Sequence, residues 1–257
     1  MNIATSKAAV QGMTEEEWKT RCDLAACYRL VAHYGWTDLV YTHLSARVPG
    51  PHEHFLINQY GVLFHQMRAS DLVKVDVDGT IVDQDASGSR HINQAGYTIH
   101  SAVHMARPDL TCVLHTHSAA GIAVSCMKQG LLSISQQAMR FHGKLSYHDY
   151  EGIALDLGER ERLVNDLGDN KCMILRNHGL LAGGSSIPEA FLNLHRLEFS
   201  CKTQVMAMAG GAELVYPPKE VCEHAARQSS GTGGKHQEQV WNAIIRLIEN
   251  DTPDYRT

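Results

Sequence analysis

The chain has 257 residues, 44% of them hydrophobic and 20% charged, with a formal net charge of −5. These are globular values that exclude a disordered or fibrous chain, and the length suffices to bury a core without staples. No arginine run offers a nucleic-acid footprint, no polybasic patch suits a membrane surface, and no apolar stretch reaches bilayer-spanning length. The seven cysteines are scattered without a C-x-x-C pair. In Thr111-Cys112-Val113-Leu114 a reduced thiol reads as a small core residue. With a polar stretch from Met1 to Gly12 that lacks a signal-peptide core, this usage predicts a cytoplasmic protein without nucleic-acid or membrane partners.

Thr14-Glu15-Glu16-Glu17 forms a capping-box pattern, so the first helix is predicted from Thr14 to about Tyr34, ended by Gly35. Val40 to Val48 reads as a strand, Pro49-Gly50-Pro51 as a turn, and Phe55-Leu56-Ile57 as the next strand. Asp78-Gly79 between two apolar runs predicts a type I′ hairpin, and Asp85 to Ser89 a loop. Apolar residues recur at helical spacing from Asn93 to Ala106, before Pro108. Thr111–Leu114 and Lys171–Leu175 read as buried strands, Leu180–Ala182 as a short one, and Ala119–Met127 as a helix. A long helix follows Ser186-Ile187-Pro188-Glu189 and stops at Gly210-Gly211. Gly231–Gly234 reads as a link to a last helix over Gln237–Glu249, with a frayed tail beyond it. Mixed strands flanked by helices, with no second boundary, indicate one α/β domain over 1–257, its core at about 14–211.

Sixteen histidines are many, and their placement carries the chemistry. His115 and His117 stand two apart at the end of a predicted strand, so both rings face one side. His178 ends a second buried strand beside Gly179. Three imidazoles at two strand ends suit a tetrahedral metal site with one open position. On these residues alone, the reading as ligands and the reading as ordinary hydrogen-bonded side chains weigh equally. His100 and His104, one turn apart, read as helix-face residues; His43, His52, His54 and His65 read as surface or loop residues.

The run Ile92-Asn93-Gln94-Ala95-Gly96-Tyr97-Thr98-Ile99-His100, then Val113-Leu114-His115-Thr116-His117, resembles the class II aldolase/adducin family. So do Tyr147-His148-Asp149-Tyr150-Glu151-Gly152 and Leu175-Arg176-Asn177-His178-Gly179-Leu180. The resemblance covers roughly Thr14 to Gly211. It implies a central, mainly antiparallel sheet between helical layers and a homotetramer with sites at subunit interfaces. It also implies a divalent metal on His115, His117 and His178, zinc first, with manganese or iron as alternatives.

The family pattern breaks where its sugar-phosphate aldolases carry their catalytic glutamate, because Gly96 stands there. Gln94 and Ala95 replace phosphate-binding serines, Thr42-His43 replaces a Gly-Asn pair, and Tyr60 precedes the retained Gly61. The break most resembles the adducin-like branch. Glu151 and His148 are the replacement acid/base candidates, and Gly61, Asn93 and Gln94 the substrate-binding candidates. The expected function is a metal-dependent lyase, aldolase or decarboxylase, acting through a cation-stabilised enolate on a small keto or hydroxy compound rather than a sugar phosphate. The alternatives are a non-catalytic adducin-like scaffold and a non-haem iron oxygenase on the same fold.

Overall fold

Thr14 caps the first helix, its Oγ1 accepting the Glu17 amide at 3.1 Å, and α1 (Glu15–His33) runs until Gly35 takes φ 72°. The Glu17 carboxylate binds Arg21 at 3.1 Å and Lys74 at 2.9 Å instead of reaching back to complete a capping box. The computed structural model describes residues 13–83, 88–152, 158–229, 234–249 and 253–257. The N-terminal stretch 1–12, most of the loop expected at 85–89 and the link at 231–233 lie outside the described residues.

The strands are β1 (His43–Arg47), β2 (Phe55–Asn58), β3 (Leu72–Val75), β4 (Cys112–Thr116), β5 (Ser146–His148), β6 (Cys172–Leu175) and β7 (Gly179–Gly184). Among the described residues they form one seven-stranded sheet in the order β3-β2-β1-β4-β7-β6-β5. Every pairing is antiparallel except that of β5 with β6. The remaining helices are α2 (Gln94–Ala106), α3 (Ala119–Ser125), α4 (Gln136–Met139), α5 (Glu159–Leu167), α6 (Ile187–Met208), α7 (Lys219–Ser229) and α8 (Gly234–Glu249). No described helix is long and apolar enough to cross a membrane.

The period of two along each strand sorts the core into layers. Leu44, Leu114, Ile174 and Leu180 pack on one face with Leu24 of α1 and Phe191 of α6. Val113, Met173 and Leu181 point the other way, against Ile99 and Val103 of α2 and Leu163 of α5. The expected three-layer α/β arrangement is therefore present. His43, Ser45, Val113 and His115 share the α2 face, because His43 pairs with His115 and Ser45 with Val113 in the β1–β4 ladder. Ser45 Oγ sits 2.6 Å from His100 Nδ1 and 2.7 Å from His104 Nε2, which ties α2 to the sheet.

Three expectations change. β1 begins at His43 rather than Val40, because Leu39 adopts a left-handed φ of 48° inside a turn closed by the Tyr41 amide on Asp38 O. Asp78-Gly79 lies in a longer turn, with Asp76 Oδ1 accepting the Asp78 and Thr80 amides and the ladder reduced to one Val75–Ile81 bridge. The end of the chain is docked: Tyr255 is 1% exposed, and the Ser70 amide donates to Thr257 O at 3.0 Å.

Arg21 has no exposed surface and donates to Glu17, to Leu72 O at 2.7 Å and to Asp83 at 2.7 Å, binding α1 to β3. Removing one member of a buried ionic network strands the others, at a cost of about 3–5 kcal/mol. Arg21→Ala is expected to lose that much in denaturant unfolding, whereas Lys19→Ala, which removes an exposed side chain paired with the half-buried Asp23, should lose under about 1 kcal/mol. Equal small losses would show that Glu17, Lys74 and Asp83 repair the network.

Candidate metal centre

β4 carries His115 into the sheet, and His117 follows one residue beyond the strand. β6 ends at Leu175; Asn177 then takes φ 56°, and the His178 amide donates to Leu175 O, which turns the ring back toward β4. Gly179 makes this approach possible. A Cβ there would lie 2.3 Å from Thr116 O, so no other residue lets β7 start this close to β4. The three ring centroids stand 4.7 to 4.8 Å apart. One ligand nitrogen from each ring falls within 4.8 Å of the others.

Hydrogen bonding sets which nitrogen faces inward. His115 Nδ1 lies 2.9 Å from Leu180 O, which can only accept, so Nδ1 carries a proton. His117 Nδ1 lies 3.0 Å from the Asp38 carboxylate and is placed as a donor for the same reason. The two Nε2 atoms then face each other at 2.9 Å. Two lone pairs at that distance repel. A proton between them would relieve two nitrogens, whereas a divalent cation relieves all three, His178 included. Burial is the first cause that holds His115 well below the usual imidazole range and His178 down at about 4, with neighbouring histidines adding to it. Both are therefore neutral at pH 7, the form a metal requires. The residues fit a divalent metal: three imidazole nitrogens converge, and two of the rings are anchored through the opposite ring atom by a carbonyl and a carboxylate.

The histidines open on a cavity of about 320 Å³, lined also by Asp38, Tyr41, His43, Asn93, Ile99 and Tyr150. Of the sequence-predicted substrate contacts, Asn93 lines it. Gly61 lies in a turn outside the lining, and Gln94 is an exposed first residue of α2. Glu151 is exposed and bonded to Arg162, which holds its carboxyl below the ordinary value. His148 is buried, with Nδ1 2.7 Å from Asp166, and lines a small recess that it shares with His178.

His43 is not the loop residue expected from sequence. It is 4% exposed, its ring centroid lies 6.1 Å from that of His115, and neither ring nitrogen has a hydrogen-bond partner among the described residues. Burial, then the His117 and His178 charges, lowers its pKa to about 3. A Cβ on Gly96 would stand 2.4 Å from His43 Cδ2, so these two departures from the family pattern meet in space. A side chain at position 96 requires the His43 ring to move.

Asp38 went unrecognised in the sequence because Thr37-Asp38-Leu39 carries no ligand spacing and leads into an apolar run. A carboxylate on the far nitrogen of a metal-binding histidine commonly contributes about 10–100-fold in affinity. Asp38→Asn is expected to weaken zinc binding by that factor in a competition titration with a chelator, without changing the far-ultraviolet circular dichroism. Unchanged affinity would show that Asp38 does not orient His117.

The family described as the Class II Aldolase and Adducin N-terminal domain matches residues 22–205. A protein of Pseudomonas aeruginosa, named a candidate aldolase class 2 protein, is 51% identical over 247 residues, covering 93% of each chain. Rat alpha-adducin is 44% identical over 243 residues, covering 90% of this chain but 33% of the adducin. The solved structure of an aldolase II superfamily protein from Pseudomonas syringae superposes with a TM-score of 0.90 at 56% identity, covering 95% of this chain and 98% of its own. The histidine-bearing α/β chain described above belongs to the class II aldolase and adducin family.

Proposed function

We propose that the protein is a metal-dependent carbon–carbon lyase, of aldolase or decarboxylase type, acting on a small unphosphorylated keto or hydroxy compound. The observation that carries this reading is the pair of Nε2 atoms held face to face at 2.9 Å by second partners on each Nδ1. His115, His117 and His178 would hold the cation, with zinc first and manganese or iron as alternatives. When bound, the cation supplies Lewis-acid stabilisation of negative charge developing on a substrate oxygen.

The chain's own residues favour a substrate without phosphate. No lysine or arginine is found among the described residues lining the cavity, and Asp38 adds a negative charge there. Ile99 and the rings of Tyr41 and Tyr150 give much of the wall an apolar character, with Tyr150 at 6.2 Å from His178 between ring centroids. Asn93 can orient a substrate oxygen; Gly61 and Gln94 would touch only a substrate that extends past the lining. His148 is the better placed of the two proton carriers, since Glu151 would have to leave Arg162. Gly96 supplies no proton.

A second reading, a binding module without catalysis, is favoured by the 44% identity to alpha-adducin across most of this chain. The same family supports a homotetramer, and α6 presents the apolar Phe199 and Met206 at 48% and 69% exposure for such an assembly. All seven thiols are free, in keeping with a cytoplasmic location.

Loss of a general acid or base commonly lowers rate by about 10²–10⁴-fold. Metal-loaded protein is therefore expected to leave sugar phosphates such as fuculose phosphate essentially uncleaved. It should turn over a member of a 2-keto or aromatic carboxylate panel, and lose that activity on chelation. Efficient sugar-phosphate cleavage would contradict the reading of Gly96, and silence on both panels would favour the binding module. Light scattering should give about four times the chain mass of 28.4 kDa; a stable monomer at micromolar concentration would overturn the tetramer.

A further inference from the structure

His178 follows the last residue of β6; beside the first residue of that strand, away from the metal centre, lies a second cleft of about 290 Å³. Four cations line it, Arg140, Lys144, Lys171 and Arg196, against two acids, Asp169 and Glu189. Glu189 is already engaged: its carboxylate accepts from Lys171 at 2.8 Å and from the Ser185 amide and hydroxyl at 2.7 Å each. Arg140 spends one donor on Ser229 O at 3.2 Å and has no carboxylate partner among the described residues. The Arg196 guanidinium has neither a hydrogen bond nor an ion pair among the described residues.

Both arginines are half-buried. Both line the same cleft; burial lowers the pKa of each, the Arg196 charge adds to the effect at Arg140, and Cys172 and Glu189 partly offset it at Arg196. Two like charges brought together with most of their donors unused form an incomplete arrangement. An anion between them removes the repulsion and takes up the donors at once.

We propose that this cleft binds a phosphate dianion, free or as a small monoester, between the guanidinium groups of Arg140 and Arg196. Planar guanidinium forks match tetrahedral phosphate oxygens in pairs, and the excess of positive charge favours a dianion over a single carboxylate. The volume is close to the lower end of small-molecule sites, roughly 300 Å³, so the occupant is a small phosphate compound. Lys171 and Lys144 add to the field that draws it in. The metal cavity, with no lysine or arginine among its described lining residues, and this cleft lined by arginine and lysine lie at the two ends of β6, and the assignment stands independently of the proposed lyase activity.

The test is isothermal titration of inorganic phosphate into the full chain at low ionic strength, with acetate as the comparison anion. Phosphate should bind saturably, at a single site per chain, and more tightly than acetate. Arg140→Gln and Arg196→Gln should each weaken it by about tenfold or more, the loss expected for a charge-assisted hydrogen bond. His115→Ala should bind phosphate as the parent does. Phosphate should also raise the melting temperature of the parent chain and of His115→Ala, but less in either arginine variant, whose melting curves without phosphate report folding. Failure of the parent to saturate at millimolar phosphate, undiminished binding in both arginine variants, or loss of binding in His115→Ala would overturn the proposal.

Discussion

Two imidazole nitrogens, His115 Nε2 and His117 Nε2, face each other at 2.9 Å while their rings are anchored from behind by Leu180 O and Asp38. Each anchor is an acceptor, so each ring in its neutral form presents a lone pair inward. Most of the neighbouring structure keeps that conflict in place. The β4–β7 ladder sets Leu180 opposite Thr116, so the carbonyl reaches His115 Nδ1. Gly179 permits the close start of β7, and the left-handed Asn177 returns His178 to complete the set. On the opposite face of β4, Thr116 donates to the buried Glu198 of α6 at 2.6 Å, and Ser118 donates to the same carboxylate. The residues before and after His117 are thus held by the helix beneath the sheet.

The three histidines were legible in the sequence because their signals are periodic. A strand alternates faces, so H-x-H at a strand end places both rings on one side, and a glycine beside the third histidine marks a close approach. Helix α2 was legible for the same reason, and α1 and α6 from their start and stop signals, each within a few residues of its expected ends. Asp38 was not legible, because its position depends on a left-handed Leu39 and such a conformation is rarely encoded by leucine. β5 has three residues and pairs in parallel, too short for alternation to register. α5, Glu159–Leu167, carries a charge at each of its first four positions and again at Asp166, and its buried residues are Glu159, Leu163 and Leu167. Its helical pattern is consequently weak.

His43 shows how packing alters a functional reading. In the sequence it was marked only as half of the Thr42-His43 departure from the family pattern and otherwise read as a surface or loop residue, and only the β1–β4 register sets it opposite His115. Its ring fills the space beside Gly96, so the position at which a relative would place a proton-carrying side chain is closed as well as empty. The histidine cluster and the break in the family pattern at His43 and Gly96 therefore lie side by side, where one sheet face meets α2. That combination links membership of the aldolase and adducin family to the narrower proposal of a different substrate class.

The central claim is that the three nitrogens are ligands to one cation and do not merely pack together. Metal content by inductively coupled plasma mass spectrometry, on protein purified without chelator, tests it most directly when the parent chain is compared with His115→Ala and His178→Ala. The account predicts close to one divalent metal per chain in the parent and near-background metal in both variants. Equal metal in all three proteins, or a parent chain that neither carries nor takes up zinc, manganese or iron, would contradict it.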